Sequence, residues 1–256
     1  MLPQKERFAI ILRELEKKGV VKVAELSTLI GCSEVTIRSD IAKLDTQRML
    51  KKVYGGAVKK EEVLELALDP GELYLNREKK ERIARKAYTY IENRESIILD
   101  DSTTAYYLAK CIRENAGKRV VVVTNSIACA ALLSGVRHVD LFLAGGSVIG
   151  NPPSALDNIT ARFLGQFHVD KAFVGVNGIN LKVGLTSIGT PQMDVKKVMI
   201  QIAEETYVIA DSSKFGNGNM FTVCPISDIT RIITDTELSE EYRKMGLEAG
   251  ADMDLV

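Results

Sequence analysis

The residues best placed for chemistry fall in short runs mixing acids, hydroxyls and amides. Asp100-Asp101-Ser102-Thr103-Thr104 follows an apolar run and precedes a helical stretch. The first N–H groups of a helix have no intrahelical acceptor, and the helix dipole favours negative charge there. Such a run is an anion site suited to a phosphate. Asn125-Ser126 repeats the arrangement after the next apolar run. Gly145-Gly146 lets a backbone approach a ligand closely. Lys196 and Lys214 could bring ammonium groups to a phosphate or sugar oxygen. Plainer readings stand beside these. Ser102, Thr103, Asn125 and Ser126 could be helix caps, the two glycines a turn, and Lys196 a solvated helix residue.

A second constellation lies near the N-terminus. Ser33 can cap a helix running to about Gln47. At about 100° per residue, Ile37, Ile41 and Leu44 share one face of that helix. Val35, Ser39 and Lys43 lie opposite, with Thr36 and Arg38 at the margins. Those are side chains that would meet a major groove: Arg38 for guanine or phosphate, Thr36 for either, Val35 for a thymine methyl. Lys51 and Lys52 stand beside Tyr54 on a hairpin suited to phosphate or minor-groove contact. The plainer reading makes these lysines a solvated face.

The elements that must position these groups are legible in outline. Phe8, Ile11, Leu12 and Leu15 recur at helical spacing over Pro3 to Lys18, and Gly19 ends that helix. Val23 to Ile30 forms a second helix, Gly31-Cys32 a turn, and Leu50 to Val58 two strands around Gly55-Gly56. This is the layout of a winged helix-turn-helix. Residues 59–76 form a connector containing the turn signal Asp69-Pro70-Gly71, and Asn76 caps a helix from Arg77 to Ile91. Short β-branched runs follow at 97–99, 120–123, 141–144, 172–176, 208–210 and 232–233. Helical stretches at 104–114, 126–133, 154–164 and 194–204 lie between most of them. That alternation predicts an α/β domain with a mostly parallel open sheet covered by helices on both faces.

Composition narrows the class. With 46% hydrophobic and 27% charged residues among 256, global disorder is excluded. The longest apolar run, Ile127 to Leu133, is too short for a membrane span. The charged opening Gln4-Lys5-Glu6-Arg7 argues against a secretory signal. Four dispersed cysteines and two histidines argue against disulfides and structural zinc, so a reduced, cytoplasmic protein without metal or cofactor is expected. The net charge of zero conceals a split. Residues 1–60 carry 13 Lys/Arg against 7 Asp/Glu, and the remainder carries 21 against 27. A basic module joined to a larger acidic one suggests that the first part meets a polyanion.

Residues 3–58 resemble the helix-turn-helix of the DeoR family of bacterial transcriptional regulators. The resemblance rests on Val23-Ala24-Glu25-Leu26, on Ser33 to Ile41 with Leu44, and on Tyr54-Gly55-Gly56-Ala57. Ser39 stands where family members often carry a second basic residue. Residues 77–235 resemble the sensor domain of the same family, which is similar in fold to ribose-5-phosphate isomerase. The matching segments are Leu99 to Thr104, Val123-Thr124-Asn125-Ser126, Leu143 to Gly146, Asp170 to Gly175, Gly184-Leu185-Thr186 and Ala210 to Gly216. The resemblance implies a repressor of sugar-metabolism genes. It would bind double-stranded operator DNA, respond to a phosphorylated sugar or related metabolite, and form a homodimer or homotetramer away from membranes. It implies DNA contacts from Ser33 as well as the residues above. It also implies an effector site that draws on Thr124 and on Asn177-Gly178.

Isomerisation needs a carboxylate base beside a carbonyl. Asn177, Asn180 and Gln192 occupy positions where the isomerase or many sensors carry acids, so the site reads as one that binds without catalysing. Two alternatives remain at this point: a sugar-phosphate isomerase-like enzyme with an accessory DNA module, and a DNA-binding protein whose α/β domain only dimerises. The expected division is 1–58 for DNA binding, 59–76 as linker and 77–256 for effector sensing and oligomerisation.

Overall fold

The structure, a computed structural model, describes residues 2–47, 49–53, 55–58, 73, 75–150 and 152–256. The chain divides into two compact units, 1–67 and 68–256. Tyr54, the Asp69-Pro70-Gly71 turn and most of the expected connector lie outside the described residues.

In the first unit α1 spans Gln4–Lys18 and stops at Gly19, whose φ of 75° lets its N–H bond the Leu15 carbonyl. Strand β1 (Val20–Lys22), helix α2 (Val23–Ile30), helix α3 (Glu34–Thr46) and strands β2 (Lys51–Val53) and β3 (Gly56–Val58) follow. Ile11, Leu15, Leu26, Ile37, Ile41 and Leu44 form the core, while Phe8 and Leu12 pack at its margin. The unexpected element is β1. It pairs antiparallel with β3 in a sheet ordered β1-β3-β2. Three residues after a helix stop are too few to show a strand period. The pairing requires Gly56, because a Cβ there would sit 2.0 Å from the Val21 carbonyl oxygen.

The second unit opens with α4 (Arg77–Thr89), β4 (Ser96–Leu99), α5 (Thr103–Glu114), β5 (Val120–Thr124), α6 (Ile127–Leu133) and β6 (Val139–Leu143). A hairpin of β7 (Val148–Ile149) and β8 (Ser154–Ala155) leads to α7 (Asn158–Leu164) and β9 (Val169–Val174). Then come β10 (Gly178–Asn180), β11 (Gly184–Ser187), α8 (Thr190–Gln201), β12 (Ala203–Ile209), β13 (Phe221–Cys224), β14 (Arg231–Thr234), α9 (Glu240–Glu248) and β15 (Met253–Leu255). Seven strands form one parallel sheet in the order β15-β14-β12-β9-β4-β5-β6.

Strand residues alternate between two cores, as the period of two demands. Ile97, Leu99, Phe173, Tyr207 and Ile209 face α4, α5 and α6. Ile98, Ala172, Val174 and Val208 face α7 and α8.

Three local expectations are corrected. The helix expected at 154–164 begins at Asn158. Ser154 and Ala155 are instead buried in the β7–β8 hairpin, and the Asp157 side chain caps α7 by accepting from the Thr160 N–H at 2.8 Å. The helix expected at 194–204 starts earlier, at Thr190, with Pro191 in its first turn. Asn76 does not cap α4 with its side chain. It holds a left-handed φ of 56° and donates from Nδ2 to Asp211 Oδ1 at 3.1 Å. A small antiparallel sheet, β10-β11-β13, adds to the expected elements. No helix among the described residues is long and apolar enough to cross a membrane.

Candidate nucleic-acid interface and effector cavity

Helix α3 is capped as its sequence suggests, with Ser33 Oγ accepting from the Thr36 N–H at 3.2 Å. Ile37, Ile41 and Leu44 are buried, which turns Val35, Arg38, Ser39 and Lys43 to solvent. Val35 is 73% exposed, so its methyl groups are open to a partner. Thr36 is half-buried, and its hydroxyl lies 2.9 Å from that of Ser33. Arg38 Nη2 sits 2.7 Å from Glu34 Oε2 one turn back, so the guanidinium already points along the exposed face. Lys51 and Lys52 are exposed on β2. Of the described residues assigned to DNA contact, Ser33, Val35, Arg38, Ser39, Lys43, Lys51 and Lys52 are exposed and Thr36 is half-buried.

Sequence reasoning passed over Asp40, which is 1% exposed on the flank of α3. Its carboxylate accepts from Arg7 Nε at 2.6 Å and Nη2 at 2.9 Å, and from Gln4 Nε2 at 3.2 Å. Burial alone would raise the Asp40 pKa, but the Arg7 and Gln4 hydrogen bonds outweigh it and hold the carboxyl below its ordinary value. The signal was available, since an acid beside Ile37, Ile41 and Leu44 on a buried face requires a partner.

In the second unit a cavity of about 460 Å³ opens at the carboxyl ends of β4, β9 and β12. Open parallel sheets bind ligands there, where neighbouring strands lead to connections on opposite sides. Its polar lining comprises Asn76 and Lys80 of the α4 entry, Asp101 to Thr104 at the head of α5, and Asn177 after β9. Gln192 and Lys196 of α8 complete it with Asp211 and Lys214 after β12.

Asp100 lies beneath this surface, fully buried. Its oxygens accept from Ser102 N at 3.1 Å, Ser102 Oγ at 2.6 Å, Gly175 N at 2.8 Å and the Lys196 ammonium. Burial raises the Asp100 pKa, and the Lys196 ammonium and the Ser102 hydrogen bond act against that rise, so the donors around it favour the charged form. Burial would lower the Lys196 pKa, but Asp100 and Asp101 outweigh it and raise it overall. Lys196 was expected to offer charge to a ligand. It lines the cavity, yet its ammonium is held by Asp100 and, at 3.3 Å, by Asp101. Of the two lysines singled out, Lys214 is the one not engaged in this way.

Other expected site residues fall outside the lining. Thr124 Oγ1 accepts from Ser126 N at 3.1 Å, Asn125 Nδ2 donates to the Ala155 carbonyl at 3.0 Å, and Ser126 caps α6. All three are buried, with Asn125 and Ser126 bonded or bridged to the β7–β8 hairpin. The Gly145 carbonyl accepts from Thr160 Oγ1 at 3.0 Å, and Gly146 packs on the capped start of α7, where a Cβ would reach Thr160 Oγ1 at 2.2 Å. Gly178 lies 2.0 Å, by the same measure, from the Asn217 carbonyl oxygen. The cavity therefore unites Ser102, Thr103, Thr104, Asn177, Lys196 and Lys214, and adds Asn76, Lys80, Asp101, Gln192 and Asp211. Asn76 and Lys80 arrive from a helix that precedes the sheet, which no local pattern reveals.

A family model described as the DeoR C terminal sensor domain matches residues 75–236, and one described as a DeoR-like helix-turn-helix domain matches residues 7–63. The chain belongs to the DeoR family. Its relatives include the uncharacterized HTH-type transcriptional regulator YulB of Bacillus subtilis (strain 168), 32% identical over 91% of this chain and 89% of that one. Another is the putative aga operon transcriptional repressor of Escherichia coli O157:H7, 30% identical over 95% and 92%. A third is the glycerol-3-phosphate regulon repressor of Escherichia coli (strain K12), 26% identical over 91% and 92%. A ribose 5-phosphate isomerase of Methanocaldococcus jannaschii overlaps 55% of each chain with a TM-score of 0.40 and 21% identity, a partial likeness without functional weight. DeoR-family proteins are transcriptional regulators, and this chain is a DNA-binding regulator with a sensor domain and not an enzyme.

Proposed function

We propose that this DeoR-family regulator represses a carbohydrate-related operon and releases its operator when a phosphorylated sugar fills the cavity of the second unit. Relatives named as repressors of the aga operon and of the glycerol-3-phosphate regulon support the class of gene. The observation that carries the effector reading is the cavity itself. The amides heading α5 at Thr103 and Thr104 share its lining with Lys214 to take a phosphate, and with the carboxamides of Asn177 and Gln192 to take hydroxyls. The two acids in its lining already have partners. Asp101 holds Lys196, and Asp211 accepts from Asn76 and Ser213. On this reading the site binds and does not take up protons. DNA binding falls to residues 1–58, the connector to 59–76, and sensing and assembly into a homodimer or homotetramer to 77–256, in the cytoplasm.

A thermal-shift screen of sugar phosphates tests the effector. A ligand at a hundred times its Kd stabilises by about 2.7 kcal/mol. Lys214→Ala should keep the fold and weaken a hit about tenfold, the usual effect of losing a charge-assisted hydrogen bond. An undiminished shift in that variant places the ligand elsewhere. Asp100→Ala is a poor test, because it leaves the buried Lys196 charge with Asp101 alone. For DNA, Arg38→Ala should cost roughly 1–3 kcal/mol of binding, read by fluorescence anisotropy on a duplex the chain enriches from a random library. Unchanged affinity and salt slope would remove α3 as the reading helix.

A further inference from the structure

The reading face of α3 is only as sharp as the helix's rotation about its own axis. Ile37, Ile41 and Leu44 hold α3 to the core by apolar contact, which is non-directional and tolerates small rotations. Two directional contacts tie α3 to other elements among the described residues: Asp45 Oδ1 accepts from the exposed Lys52 N–H at 3.3 Å near its end, and Asp40 makes the buried one. Asp40 receives Arg7 through two roughly parallel N–H groups, Nε at 2.6 Å and Nη2 at 2.9 Å. The remaining Arg7 nitrogen, Nη1, donates to the Leu2 carbonyl at 2.8 Å, and Gln4 adds a third bond to Asp40 at 3.2 Å. Both members of the pair are buried. A planar fork on a carboxylate admits one orientation, and a turn of α3 by even a fraction of 100° would break it. Asp40 also directly follows Arg38 and Ser39, so whatever fixes its direction fixes theirs.

We propose that Arg7 and Asp40 are positioning residues for sequence reading. They hold α3 in the rotation that presents Arg38 and Ser39 to base edges, while contributing nothing to the affinity for phosphate. Bonding to bases depends on direction, and attraction to phosphates depends mainly on charge. Loss of the fork therefore lowers discrimination and spares non-specific binding. The inference rests on α3 being the reading helix. Arg38→Ala tests that premise separately, since its failure to affect binding would remove the reading, whatever the fork does.

The test uses the full chain and two duplexes, the one it enriches from a random library and a scrambled duplex of equal length. In the double variant Arg7→Met, Asp40→Leu, an apolar pair replaces the ions. Such replacements commonly retain stability, so a purely structural role predicts wild-type discrimination. The expected result is a wild-type-like melt, scrambled-duplex affinity within twofold, an unchanged salt slope, and at least a tenfold loss on the enriched duplex. Arg7→Lys, which keeps the charge and loses the fork, should lose discrimination in part. It becomes the deciding variant if the double one fails to fold. A folded variant of either kind with the full ratio of enriched to scrambled affinity overturns the proposal.

Discussion

Asp40 and Asp100 are both buried carboxylates held by a base, yet their surroundings set them to different work. Asp40 faces a guanidinium fork within a small helical core. Asp100 faces an ammonium and three hydrogen-bond donors of the chain under the floor of a cavity. Removing one partner of a buried pair costs roughly 3–5 kcal/mol, so Asp40→Asn should destabilise by about 3 kcal/mol at neutral pH. The folded pKa of Asp40 lies below its unfolded value, so the contribution is complete above the ordinary carboxylate range and fades as pH falls through the folded pKa. The gap in stability between wild type and Asp40→Asn should be flat above about pH 5 and close progressively below about 4. Denaturant unfolding across that range measures it. A gap that widened on acidification would contradict the assignment of the pair.

Among the elements, the wing shows how one position decides a sheet. β3 can lie between β1 and β2 only because Gly56 has no Cβ to meet Val21. Gly56→Ala should cost roughly 2–4 kcal/mol, as steric strain on a packed backbone does. It should also speed hydrogen exchange at Val21 and Ala57, whose strands would part. Retained protection at both amides would show that the wing accommodates the methyl group. The Gly-Gly pair reads from the sequence as a turn, which holds for Gly55 with its φ of 79°. The second glycine serves a different purpose, a close approach to a strand more than thirty residues upstream. Local patterns report turns, whereas approach distances depend on a partner that the pattern does not contain.

At the scale of the molecule, the proposed regulation is a linkage between two ligands. If a sugar phosphate favours the state that releases DNA, saturating duplex must weaken sugar-phosphate binding by the factor by which the effector weakens operator binding. Couplings of this kind usually amount to about 1–3 kcal/mol, or 5- to 150-fold. Titrating the effector with and without the enriched duplex should show effector affinity lowered by a factor in that range, and an unchanged affinity would refute the linkage. Much of this architecture is legible in the residues. The charge split, the helical spacing of the first three helices, the caps at Ser33, Ser102 and Ser126 and the alternation of short apolar runs with helices all follow from local chemistry.

The tertiary structure alone separates two runs that look alike. Ser102-Thr103-Thr104 and Thr124-Asn125-Ser126 each join a parallel strand to a capped helix. The first lines a cavity, while the second is covered by a hairpin whose Ala155 donates its N–H to the Asn125 carbonyl and accepts from Asn125 Nδ2. Lys196 likewise reads as a free cation until α8 brings it onto Asp100, ninety-six positions earlier in the chain. Strand ends and caps are set by neighbours within a turn or two, but exposure and the pairing of charge are set by what the rest of the chain lays on top.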